Sequence, residues 1–195
     1  AAVTEIEVDT EEEPDTINHI FGYQTIVSQM QRVHDLLGKE APDTLFTLGG
    51  SCDANIPAAA YLNRRFAGDM TVLWFDSHGD LNTPVSSPSK HFFGMPLRTL
   101  LGDGDDEIIG RLPSTLVPGQ VVLMGARDLD PEEQAYMERC AIPVVSVSDI
   151  EQNAEAILEV IHTKGSRNLY IHIDLDVLEP AQFPHVPVPV PGGLD

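Results

Sequence analysis

Two apolar runs without a charged residue, Thr71-Val72-Leu73-Trp74-Phe75 and Asn168-Leu169-Tyr170-Ile171-His172-Ile173, each end on an acidic motif. The first motif is Asp76-Ser77-His78-Gly79-Asp80 and the second is Asp174-Leu175-Asp176. Short, continuously apolar runs are the pattern of strands covered on both faces, as in a parallel sheet. The rest of the chain alternates strand and helix patterns, which predicts an α/β fold with a mainly parallel sheet and helices on both faces.

The expected elements are a strand over Thr4 to Val8, a helix over Thr25 to Leu37 ended by Gly38, and a strand over Thr44 to Leu48 that stops at Gly49-Gly50. A helix over Ala54 to Phe66 follows, with Asp53 as its N-cap and Pro57 tolerated in its first turn. After the Val72–Phe75 strand comes a Pro- and Ser-rich loop to Lys90, then a helix over Pro96 to Leu101. Gln120 to Met124 and Pro143 to Val147 read as strands, and Pro131 to Arg139 and Asp149 to His162 as helices. With no internal repeat or low-complexity linker, residues 1–195 form one expected domain. Ligands of open parallel sheets collect beyond the carboxyl ends of the strands. Both acidic motifs and the Gly49-Gly50-Ser51-Cys52 turn are expected there.

Charge excludes some partners. The formal net charge is −20, with 11 Lys and Arg against 31 Asp and Glu. Nucleic acid and anionic membrane both require basic side chains to neutralise phosphate, so neither is an expected partner. Part of the excess lies in the acidic run Asp9-Thr10-Glu11-Glu12-Glu13, read as a solvated loop. No apolar stretch is of membrane-spanning length and no charged-then-apolar leader opens the sequence. Two cysteines, Cys52 and Cys140, are too few for a disulfide framework, so the expected compartment is the reducing cytoplasm.

In an extended chain alternate side chains share a side, so Asp76, His78 and Asp80 are expected to converge, as are Asp174 and Asp176. Either motif alone could be a turn with solvated carboxylates. Two of them at the ends of two buried strands crowd like charges that need a cation between them. Oxygen-rich ligation with imidazole suits a hard divalent ion such as Mn²⁺. A shared carboxylate can bridge two such ions, and the pair can generate hydroxide from water at neutral pH. The residues themselves reach a binuclear metallohydrolase.

The segments around these motifs resemble the arginase/agmatinase (ureohydrolase) family. Asp76-Ser77-His78-Gly79-Asp80 resembles its Asp-Ala-His-Ala-Asp motif, and Asp174 to Pro180 its Asp-x-Asp-x-x-Asp-Pro motif. Gly125-Ala126-Arg127-Asp128-Leu129-Asp130-Pro131 is similar to its Gly-x-Arg-Asp-x-Asp-Pro segment. Ser89 to Pro96 is similar to its Ser-Gly-Asn-x-His-Gly-Met-Pro loop, and Pro189 to Leu194 to the segment after its last metal motif. The resemblance implies an arginase-like three-layer α/β/α domain over residues 1–195, incomplete at both ends of the family pattern. It implies two Mn²⁺ per chain, with Asp76 and Asp174 bridging, His78 and Asp176 on one ion, and Asp80 on the other. The implied reaction is attack of metal-bridging hydroxide on a guanidinium carbon, releasing urea from a small guanidino or amidine compound. Ser89, Asp130 and Glu133 fall on its substrate side, although Asp130 before Pro131 is equally well placed to cap a helix. A homo-oligomer is compatible with the resemblance.

Departures from the pattern bear on activity. Where the family carries a histidine ligand in Gly-Gly-Asp-His-Ser, this chain has Cys52, either a sixth ligand or a small buried thiol. Phe93 replaces the loop histidine proposed to carry protons, and His91, two residues earlier, is either its substitute or an exposed histidine. Val186-Pro187-Val188 stands where a substrate-facing Thr-Gly-Thr is expected. His172 is in phase with Asp174 and Asp176 but deeper in its strand, and is read as a core or supporting residue rather than a ligand. A catalytically impaired scaffold or regulatory subunit is therefore the alternative function.

Overall fold

The computed structural model describes residues 3–8, 14–153 and 155–195, with residue 156 by its backbone alone. The acidic run at 9–13 lies outside the described residues. A short antiparallel pair, β1 (Thr16–Ile17) and β2 (Ile20–Phe21), turns through Asn18 and His19, both at positive φ. Helix α1 (Tyr23–Glu40) buries Tyr23, Val27, Met30 and Leu37, which share one face at helical spacing. It runs past Gly38 and closes at Ala41, whose N–H bonds to the Leu37 carbonyl at 2.9 Å. Helix α2 (Ile56–Arg65) follows a 3₁₀ turn over Cys52–Asn55, with Pro57 in its first turn.

Strand β3 (Met70–Phe75) comes next, followed by α3 (Pro96–Leu100) and the short α4 (Asp106–Gly110), which the sequence pattern did not announce. Strand β4 (Val121–Met124), helix α5 (Pro131–Arg139) and strand β5 (Val144–Val145) follow. The expected helix over Asp149 to His162 is two helices, α6 (Val147–Gln152) and α7 (Glu155–Lys164). It breaks at Asn153, whose φ of −151° is outside the helical region. Strand β6 (Asn168–Ile173) is the last.

Among the described residues the main sheet has four strands in the order β5-β4-β3-β6, all parallel. One face carries the larger core, where Val72, Trp74, Leu123 and Tyr170 meet residues of α1, α2 and α3. The other face packs Leu73, Val122 and Met124 beneath Ile150 of α6 and Ile157, Val160 and Ile161 of α7. This is the expected three-layer α/β/α arrangement.

Two expected strands do not form. Thr4 to Val8 and Thr44 to Leu48 pair with no strand among the described residues. Phe46 and Leu48 are 90% and 88% exposed, so nothing supplies the neighbour or cover that strand geometry requires. The Pro143 to Val147 strand shortens to two residues, because its N-cap Ser146 already starts α6 by accepting from the Asp149 N–H.

Candidate metal centre

β3 and β6 are hydrogen-bonded neighbours in register, with Phe75 opposite Ile173. The next residue of each strand is therefore Asp76 and Asp174, side by side at the carboxyl edge. Backbone bonds fix them there: the Asp174 N–H donates to the Phe75 carbonyl at 2.8 Å and the Asp76 N–H to the Met124 carbonyl at 3.3 Å.

Beyond the edge the chain turns instead of staying extended. Asp76 Oδ1 accepts from the His78 N–H at 2.7 Å, and Asp174 Oδ1 accepts from the Asp176 N–H at 2.9 Å. Asp80 sits at a φ of 52°. The carboxylates thus converge through tight turns rather than through the pleat, and they divide around Asp76. On one side His78 Nδ1 lies 2.9 Å from Asp176 Oδ2 and 3.4 Å from Asp76 Oδ1. On the other, Cys52 Sγ lies 3.9 Å from Asp76 Oδ2, and His172 Nε2 lies 3.7 Å from the same oxygen. Two donor groups capable of holding a cation result, Asp76 with His78 and Asp176, and Asp76 with Cys52, Asp80 and His172. Within each group the donor atoms fall within 4.8 Å of one another. Asp76 belongs to both. Asp174 belongs to neither group and accepts from the Cys52 thiol at 2.9 Å.

The electrostatics match a cluster lacking positive charge. Burial, with Asp76, Glu133 and Asp174 nearby, holds the Asp80 carboxyl well above the usual carboxylate range. Burial and the charges of Asp80, Asp76 and Asp174 likewise push the Cys52 thiol up. Burial alone would lower His78, but Asp176 and Asp76 outweigh it and raise His78 to about 10. Burial would raise Asp76, yet the neighbouring His172 and His78 imidazoles keep it below the ordinary value. Two polar atoms in this cluster, Asp80 Oδ2 and His172 Nε2, are buried without a hydrogen-bond partner. Such orphans are costly, and a divalent cation would satisfy both. The donor set fits a divalent metal ion.

The remaining expected residues are not in either donor group. Glu133 is buried with both oxygens engaged, accepting from the Leu81 N–H at 2.8 Å and the Asp130 N–H at 2.9 Å. Asp130 accepts from the Asn82 amide at 2.8 Å. Both therefore brace the loop after β3 against the start of α5. Ser89 is exposed and accepts from the His91 N–H at 3.3 Å. His91 is exposed too, its ring 5.1 Å from Phe21 and stacked 5.2 Å from Phe93. It makes no hydrogen bond to the acidic cluster among the described residues.

Two residues inside the quoted segments take roles that the sequence did not assign. Arg127 donates to the carbonyls of Asp176 at 2.9 Å, Val177 at 3.3 Å, Val190 at 2.7 Å and Pro191 at 3.2 Å, tying the second acidic turn to the C-terminal segment. Glu179 accepts from the Gly192 and Gly193 N–H groups at 2.8 and 2.9 Å, which holds its carboxyl below the usual range. Any side chain at Gly193 would meet the Leu178 carbonyl carbon at 2.3 Å.

The result is a parallel-sheet α/β domain with a shared-carboxylate donor cluster at the carboxyl ends of two neighbouring strands, β3 and β6. The sequence profile of the Arginase family matches residues 4–195, and the chain belongs to that family. It is 31% identical over 194 residues to an arginase of Staphylococcus aureus, covering 96% of this chain and 64% of that one. The Bacillus subtilis arginase structure superposes with a TM-score of 0.80 at 29% identity, covering 92% of this chain and 64% of that one. The Entamoeba histolytica arginase, solved with L-ornithine, shares the fold with a TM-score of 0.87 at 24% identity, covering 97% and 66%. The chain thus spans about two thirds of the length of these relatives.

Proposed function

We propose that this chain carries the metal centre of a binuclear hydrolase that adds water across a C–N bond of a linear guanidino or amidine compound, releasing urea and an amine where the substrate is a guanidine. The observation that carries this reading is the pair of donor groups joined by Asp76, with Asp80 Oδ2 and His172 Nε2 unpartnered within the second of them. Asp76, His78 and Asp176 would hold one divalent ion, and Asp76, Asp80 and the residues beside them the other. Mn²⁺ is the expected ion for such carboxylate-rich sites. When bound, the ions supply an activated water at neutral pH and an electrophilic surface for the substrate. The protein's own part is to fix the carboxylates: the Ser77 N–H donates to Asp176 Oδ1 at 2.9 Å, and Arg127 holds the Asp176 backbone. Asp80, buried beside Asp76, is the carboxylate placed to take a proton from the reacting water. Arginases are the relatives by sequence, so arginine, agmatine and guanidino acids form the substrate panel.

The test is urea release from that panel by the Mn²⁺-loaded full-length polypeptide, alongside its metal content. About two ions per chain with turnover on one substrate supports the proposal. Bound metal without turnover on any member favours the second reading, a metal-binding scaffold or regulatory subunit. That reading draws on His91, which stands edge-on to Phe21 and stacks on Phe93 without a hydrogen bond to the carboxylates among the described residues, and would be idle as a proton carrier.

A further inference from the structure

Cys52 and His172 are the two donors other than carboxylates in the group that holds Asp80. Cys52 stands where the family pattern has a histidine, and His172 brings an imidazole to the same place from β6. The His172 ring is buried, stacked 3.8 Å from Trp74, and aims an unpartnered Nε2 at Asp76. Its Nδ1 lies 3.3 Å from the Asn55 side-chain amide. Ligation through Nε2 requires the ring proton on Nδ1. Asp80 contributes the second unpartnered atom.

We infer that Cys52, His172, Asp80 and Asp76 form a mixed sulfur, nitrogen and oxygen site that selects zinc over manganese, while Asp76, His78 and Asp176 keep a manganese-type site. His172 is then a ligand and not the supporting residue its depth in the strand suggested. Four donors, one a thiolate and one an imidazole, are the set zinc takes in tetrahedral geometry. Divalent zinc outcompetes manganese at any common donor set, and a thiolate widens the gap. The neighbouring group, with two carboxylates and one imidazole, lacks the soft ligand. The inference rests on the metallohydrolase proposal and assigns a different ion to each half of its centre.

The experiment uses the full chain stripped of metal by chelation. Cobalt(II) is titrated in and the near-ultraviolet thiolate-to-cobalt charge-transfer band is followed. In parallel, one equivalent of zinc per chain competes with an excess of manganese for the protein, and bound metal is counted by mass spectrometry. The expected result is a charge-transfer band in the unaltered chain and one zinc beside one manganese. Cys52→Ser removes the band and weakens zinc at least about tenfold, with manganese uptake retained. His172→Asn weakens zinc about 10- to 100-fold with the band retained, and Cys140→Ser changes neither. Cobalt binding without the band in the unaltered chain, or unchanged zinc affinity in Cys52→Ser, overturns the inference and leaves the binuclear proposal standing. Failure to bind any divalent ion overturns both.

Discussion

Asp76 decides more than any other residue, because it is the donor common to both groups and is 1% exposed. Asp76→Asn should drop metal content from about two ions per chain to fewer than one, measured by mass spectrometry, with urea release lost in parallel. Removing any other single donor should spare the ion in the opposite group. Protons compete for the same atoms. Asp80 and Cys52 are raised and His78 reaches about 10, so the metal-free protein holds protons on donors that must give them up when a cation binds. Metal binding therefore releases protons, and affinity rises with pH. Calorimetry at about pH 6 and about pH 8 in buffers of different ionisation enthalpy should show tighter binding at the higher value. Affinity independent of pH would contradict these protonation states. Of the residues named from sequence, Asp76, His78, Asp80, Asp176 and Cys52 fall in the two donor groups, while Asp174 stands outside both and accepts from the Cys52 thiol. His172 was not legible as a donor, because phase along a strand cannot tell an orphaned ring nitrogen from a satisfied one.

At the scale of elements, the cluster depends on how turns and caps hold the ends of β3 and β6. Gly125 follows β4 at a φ of 83°, and a Cβ there would lie 2.9 Å from the Val177 side chain in the second acidic turn. Gly125→Ala should cost about 1–3 kcal/mol in chemical denaturation and weaken metal binding by displacing that turn. Glu133 links the loop after β3 to the first turn of α5. Glu133→Ala leaves the buried Leu81 N–H and the Asp130 N–H without acceptors, an expected loss of about 2–4 kcal/mol by urea denaturation. If Glu133 acted only on substrate, stability would not change and KM alone would move. Most helices and the long strands were legible because their apolar periodicity and caps are local. Thr44 to Leu48 misled because its composition suits a strand while pairing depends on a neighbour the composition cannot supply. The split between α6 and α7 was hidden because a residue such as Asn153 breaks a helix through its backbone angles, not through a loss of apolar rhythm.

Across the whole molecule the two faces of the sheet are covered unequally. Leu73 and Ile171 are register partners on one face, yet Leu73 is 1% exposed beneath α6 and α7 while Ile171 is 51% exposed. Leu169, Ile173 and Leu175 extend the open apolar strip along β6. Ile171→Thr with Ile173→Thr should change stability by only about 0.5 kcal/mol per site while reducing self-association in sedimentation. A large loss of stability would mean that this strip is covered in solution. No helix among the described residues is long and apolar enough to cross a membrane. The sequence by itself determined the α/β class, the strand edge where acid collects, and the family, because each of these is written in local composition and motif order. Only the tertiary structure divided the donors into two groups around Asp76, set Asp174 against the Cys52 thiol, and brought His172 to the cluster. That division follows from parallel pairing of β3 with β6 and from the turns beyond them, contacts between residues distant in sequence.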